Sequence, residues 1–248
     1  MIRIDGSDRL PTLRENFFPA SNDGTGSVGG GRPGIVPGGA GTTAGTAASA
    51  SPRVACFTPG TRIATPRGEA AIETLRPGDM VLTRDDGPQE VRWVGRKRLT
   101  GPPLRVDTGL HPVLIRAGAL GPGVPARDLR VSPNHRVLLL GDHPSLEAAE
   151  AEVFLSARHL VGTRGIDRVA VSEVTYLHIM CDRHQVVLSD GAWTESFRPS
   201  DAALQGVSEG ARDELLAIFP ELAEAVPGDR FTAARPTADA GRLGRLRA

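Results

Sequence analysis

From Val54 onward the chain alternates apolar and polar residues in short runs, the period-2 pattern of half-buried strands. The runs are Thr61–Thr65, Glu69–Ile72, Met80–Thr83, Val91–Val94, Leu104–Val106 and Val113–Arg116. They continue as Val131 with Val137–Leu140, Val153–Leu155, Val169–Val171, Val174–Met180 and Gln185–Leu188. Turn-forming groups separate them: Pro66-Arg67-Gly68, Pro77-Gly78-Asp79, Asp86-Gly87, Gly101-Pro102-Pro103, Gly121-Pro122-Gly123, Gly141-Asp142 and Asp190-Gly191. Helical patterns of 10–15 residues do not alternate with these runs, which argues against a parallel βαβ sheet. The pattern predicts an all-β domain over residues 54–198, built from short antiparallel hairpins.

Helical periodicity enters after that domain. Leu215, Leu216, Ile218, Phe219, Leu222 and Val226 share one face of a helix predicted over about 208–226, with Pro220 ending or kinking it. This helix and a tail form a C-terminal part, residues 199–248. Before the domain, residues 21–52 hold glycines and small residues, with Val28, Ile35 and Val36 as the sizeable apolar side chains. Such a segment buries too little surface to offset its ordering entropy, so residues 1–53 are expected to be a flexible, disordered Gly/Pro/Ala-rich leader and linker.

Composition agrees with this division. The 248 residues include 30 glycines and 20 prolines, a turn-rich balance, and 40% are hydrophobic, enough for an aliphatic core. Lysine and arginine number 29 against 29 aspartates and glutamates, and Lys97 is the one lysine among those cations. Zero net charge lacks the basic field of a nucleic-acid binder. No apolar run reaches membrane-spanning length, so no membrane insertion is expected. The opening Met1-Ile2-Arg3-Ile4-Asp5-Gly6 lacks the basic-then-apolar order of a signal peptide.

Two cysteines, Cys56 and Cys181, are too few for a disulfide framework or a cysteine-ligated zinc site. Cys56 stands where the leader meets the domain. A thiol there can attack the carbonyl carbon of the preceding residue through a five-membered transition state. The peptide bond Ala55–Cys56 then becomes a thioester in an N→S acyl shift. The shift needs a proton acceptor for the thiol and a proton donor for the departing nitrogen, work suited to histidine near neutral pH. The candidates are His111, His135, His143, His159, His178 and His184.

Three ordered blocks resemble the Hedgehog/intein (Hint) domain family, of the bacterial intein-like type. The first is Cys56-Phe57-Thr58-Pro59-Gly60-Thr61, followed by Gly68-Glu69 and by Ile72-Glu73-Thr74-Leu75-Arg76-Pro77-Gly78-Asp79-Met80-Val81. The latter is similar to the family's I/V-E-x-L-x-P-G-D-x-V segment. Ser132-Pro133-Asn134-His135 resembles its T-x-x-H block, and Val174–Gly191 its last hairpin. The resemblance implies a compact Hint-like β-fold, with Cys56 as nucleophile and His135 as the histidine that polarises the scissile amide. Ser132 stands in place of the threonine, and Asp182 and His184 fall where polar helpers are expected. At the end of the domain, Ala192-Trp193-Thr194-Glu195-Ser196-Phe197 holds no asparagine to cyclise. The expected activity is therefore self-cleavage at Ala55–Cys56 without full splicing, resolved by water or an external nucleophile.

The leader is thus the expected substrate, and no cofactor or metal is required. A non-catalytic interaction module of the same fold and a cysteine hydrolase acting in trans are the two alternatives. Among the remaining residues, His178 is expected to pack on one side of a strand and Cys181 to be structural. His111, His143 and His159 are expected to be solvated. Arg92, Arg96, Lys97 and Arg98, offset by Asp85, Asp86 and Glu90, read as a soluble edge strand.

Overall fold

A computed structural model of the chain describes residues 54–140, 152–204, 207–223 and 231–238. The leader expected over 1–53 and His143 lie outside these residues. The strands are β1 (Arg62–Thr65), β2 (Gly68–Ala71), β3 (Met80–Leu82), β4 (Pro88–Glu90), β5 (Trp93–Thr100), β6 (Val113–Ile115) and β7 (Leu129–Val131). They continue as β8 (Arg136–Leu140), β9 (Glu152–Ser156), β10 (Ile166–Arg168), β11 (Glu173–Met180), β12 (Val186–Ser189), β13 (Ala192–Glu195) and β14 (Thr237–Ala238). Three helices, α1 (Pro102–Val106), α2 (Asp201–Leu204) and α3 (Glu209–Ile218), complete the described elements together with short 3-10 turns.

One sheet has the strand order β14-β9-β8-β13-β12-β1-β2, and every pairing in it is antiparallel except that of β14 with β9. The antiparallel hairpins follow the alternating pattern because each buries one face. A second layer consists of β10-β6-β7 and the long pair β11-β5. Phe57 joins these two pieces, bridging to Val131 on one side and Leu177 on the other. The segment just after Cys56 is thereby held as a central strand, buried among others, rather than as a fraying entry to the domain.

Between the layers lies an aliphatic core that includes Ile63, Ile72, Val81, Ile115, Leu129, Val137, Leu155, Leu177 and Val187. A second cluster unites Val54, Cys56, Trp93, Met180 and Phe197 with Leu215, Phe219, Leu222 and Phe231 from the C-terminal part. Ser208 caps α3 by accepting the Ala211 N–H, and the helix ends at Ile218, just before the expected break at Pro220. Residues 224–226 lie outside the described residues.

Two expected strands are corrected. Residues 104–106 belong to α1, because Pro102 and Pro103 preset the φ of a first helical turn. The strand expected at Val169–Val171 forms instead at Ile166–Arg168, where it pairs with β6 in the register Ile166↔Ile115. In the basic stretch, Arg96 and Arg98 face solvent while Trp93, Gly95, Lys97 and Leu99 share the inner face of β5. His111 is also corrected: it is buried, and its Nδ1 accepts the Val171 N–H at 3.1 Å.

Candidate functional site

The Ala55–Cys56 peptide is gripped from both sides. Phe57 exchanges backbone hydrogen bonds with Leu177 of β11, both at 2.9 Å, and the Ser132 N–H donates to the Cys56 carbonyl at 2.9 Å. This ladder fixes the peptide in extended geometry and places residue 178 of β11 beside it. The His178 side chain lies on the buried face of β11, opposite Gly95 of β5.

His178 reaches both the Ala55 carbonyl and the Cys56 thiol. Its Nδ1 is 2.9 Å from the Ala55 carbonyl oxygen, and its Nε2 is 3.7 Å from the Cys56 Sγ. A carbonyl oxygen only accepts, so Nδ1 carries the hydrogen and Nε2 presents a lone pair to the thiol. Burial, opposed by the bond to Ala55, lowers the His178 pKa to about 4, so the ring is neutral at pH 7. Burial also pushes the Cys56 thiol well above its usual range, against the lowering effects of the Ser132 hydrogen bond and the Lys97 charge. The resting pair is therefore thiol and neutral imidazole, not thiolate and imidazolium.

Ser132 serves the other half of the bond. The Cys56 N–H donates to Ser132 Oγ at 3.0 Å, and that hydroxyl donates to the Val54 carbonyl at 2.9 Å. Ser132 is thus the group bonded to the Cys56 nitrogen. His135, three residues on in the same turn, points elsewhere: its ring meets Phe57 edge-on at a centroid distance of 4.3 Å. Neither of its nitrogens has a hydrogen-bond partner among the described residues. Burial lowers the His135 pKa to about 4, so it too is neutral.

Asp182 and His184 fall in other surroundings. Asp182 is half-exposed, with an oxygen 3.6 Å from Arg92 Nε. His184 is buried, its Nδ1 accepting the Ala234 N–H at 3.0 Å and its Nε2 lying 3.4 Å from Glu195. Burial would raise the Glu195 carboxyl, but the His184 hydrogen bond and the Arg136 charge outweigh it and hold it low. Arg136 binds this carboxylate with its backbone N–H at 2.9 Å and its guanidinium at 2.7 Å. Arg136 and Glu195 thus form an ion pair at the end of the hairpin, with the carboxylate fully buried. Cys181 sits in the aliphatic core, where burial pushes its thiol up to about 12, as befits a structural residue.

His178 is the candidate site residue that the strand pattern hides. Period-2 alternation puts Tyr176, His178 and Met180 on one face, but it is the pairing of Phe57 with Leu177 that turns that face toward Cys56. Trp93 then supports the ring, stacked at 19° with centroids 6.0 Å apart, while Phe197 meets it edge-on at 5.3 Å.

The family model for the Hint domain matches residues 55–201, more than half of the chain. No curated protein sequence matches it. Solved structures similar to it include the bacterial intein-like domain from Clostridium thermocellum, at 16% identity and a TM-score of 0.37. That match covers 57% of this chain and 97% of that domain. The MchDnaB-1 intein is 14% identical with a TM-score of 0.35, covering 56% of this chain and 98% of the intein.

Proposed function

The chain belongs to the Hint-domain family, and we propose that it is an autoprocessing protein that cuts its own Ala55–Cys56 bond through a thioester. The observation that carries this reading is His178, which contacts the scissile carbonyl with one nitrogen and the Cys56 sulfur with the other.

The chemistry follows from that contact. As Sγ attacks the Ala55 carbonyl carbon, its proton passes to His178 Nε2 and the C–S bond forms. The ring becomes imidazolium, and its Nδ1–H bonds more strongly to the oxygen on which negative charge develops. The C–N bond then breaks, and the proton held on Nε2 returns to the Cys56 nitrogen. One histidine thus carries a single proton from sulfur to nitrogen, with no net gain or loss. Ser132 keeps the nitrogen oriented throughout, and His135 braces Phe57 rather than touching the reacting atoms. Asparagine cyclisation has no residue at Ala192–Phe197, so the thioester ends in cleavage by water or an external nucleophile and not in splicing. The leader ending at Ala55 is the substrate.

Cys56 is 5% exposed, which disfavours a hydrolase acting in trans on large substrates. The experiment is an intact-mass measurement of the full chain incubated with and without hydroxylamine. The reading predicts a fragment starting at Cys56. A chain that stays whole under both conditions, while folded, identifies a non-catalytic module instead.

A further inference from the structure

Val54 and Ala55 lie on the leader side of the bond, yet the domain grips both. We infer that Val54 is the residue by which the domain selects its leader: an aliphatic side chain at this penultimate position seats the Ala55 carbonyl for attack, and a shorter or polar one does not. This rests on the thioester reading above.

The backbone of Val54 is the first hold. Its carbonyl accepts the Ser132 hydroxyl at 2.9 Å and the Cys56 thiol at 3.4 Å, so one oxygen is tied both to the group on the Cys56 nitrogen and to the sulfur. The thiol hydrogen reaches His178 Nε2 by turning about the Cβ–Sγ bond, which leaves the sulfur in place. The neighbouring Ala55 carbonyl is fixed by His178 Nδ1 at 2.9 Å. Any residue's backbone can make these bonds, so they position the peptide without reading the leader's sequence.

The side chain carries the selection. Val54 is 4% exposed and belongs to the apolar cluster that includes Trp93, Leu104 and Tyr176. With Leu99, Leu110 and Tyr176 it lines the cleft beside Cys56. Leu99 and Tyr176 stand on the paired strands β5 and β11, and the Tyr176 hydroxyl holds the Leu110 carbonyl at 2.7 Å. The seat is built from the domain, whereas its occupant belongs to the segment that leaves. Binding energy from a part of the substrate that does not react goes into orienting the part that does. Ala55 offers only a methyl group, so Val54 is the side chain with the apolar surface to supply that energy.

The test is the rate of release of residues 56–248 with hydroxylamine from the full chain and from Val54→Ala, Val54→Thr and Val54→Ile. The released fragment is the same molecule in all four. Val54→Thr keeps the branched shape but puts a hydroxyl in an apolar seat, whereas Val54→Ile keeps the apolarity and has the cleft for its extra methyl. Release should slow about tenfold or more in Val54→Ala and Val54→Thr, and stay within about threefold in Val54→Ile, on the scale by which apolar pockets discriminate single methyl groups. Urea melts of each substitution in the uncut Cys56→Ala background give the folded fraction by which every rate is divided. Equal rates from all four, slowing that vanishes on this correction, or slowing in Val54→Ile as large as in Val54→Thr overturns the selection by Val54 and leaves the thioester in place. No fragment from the unaltered chain overturns the thioester reading and this inference with it.

Discussion

At the scale of single residues the account rests on a histidine whose two nitrogens do different jobs. His178→Ala should slow fragment formation by about 10²–10⁴, the usual contribution of a placed proton carrier. His135→Ala should slow it less, since that ring touches Phe57 and not the reacting atoms. Mass spectrometry of time points after hydroxylamine addition measures both. The pH profile separates this route from one through a preformed thiolate. In the proposed route cleavage requires neutral His178, whose pKa is lowered to about 4. The rate constant should therefore be flat from about pH 6 upward and fall roughly tenfold per unit as the pH drops below about 4. A rate that climbs tenfold per unit between pH 6 and 8 contradicts proton transfer from thiol to imidazole.

At the scale of elements, β5 and β11 form the platform that holds His178. Gly95 is paired with His178 across these strands, and its missing side chain makes room for the Trp93 indole. A Cβ at Gly95 would fall 2.0 Å from the Trp93 ring, so Gly95→Ala must displace the ring stacked on His178. Overpacking of this kind costs about 1–3 kcal/mol, readable as a lower denaturation midpoint, and cleavage should slow with it. Ser132→Ala should destabilise the domain by a similar margin, about 1–3 kcal/mol, because the buried Cys56 N–H loses its acceptor.

How far the sequence discloses these elements depends on whether local chemistry or long-range pairing decides them. Runs such as Thr61–Thr65 and Val174–Met180 alternate clearly and become β1 and β11. Leu104–Val106 misleads because its apolar residues suit a strand while Pro102 and Pro103 start a helix. The place of β10 is settled by its partner β6, which no local signal names. The same holds at the site. Cys56 and Ser132 are legible from their blocks, whereas His178 gains its place only when Phe57 slots between β7 and β11.

For the whole molecule, the C-terminal part acts as a brace behind the site. Leu215 of α3 is fully buried in the cluster that contains Cys56 and Trp93, and the Trp93 indole N–H donates to Glu214 at 2.9 Å. The segment after it pairs with β9 and gives the Ala234 N–H to His184. Acid should weaken this assembly. His135 and His178 are lowered to about 4 in the folded state from an ordinary value of 6.5. Between those values the unfolded chain binds the extra protons, so stability rises with pH there and is lost as the pH falls from about 6.5 to about 4. Urea midpoints across that range should decrease toward acid; a midpoint that is constant or higher at pH 4.5 than at pH 7 contradicts the buried neutral histidines.

The most direct test of the central claim is the intact mass of the full chain after hydroxylamine treatment, set beside that of Cys56→Ala. The account predicts a fragment with the mass of residues 56–248, together with the leader as its Ala55 hydroxamate, from the unaltered chain and neither from the variant. An unaltered chain that remains whole like the variant, or a cut at any bond other than Ala55–Cys56, contradicts it.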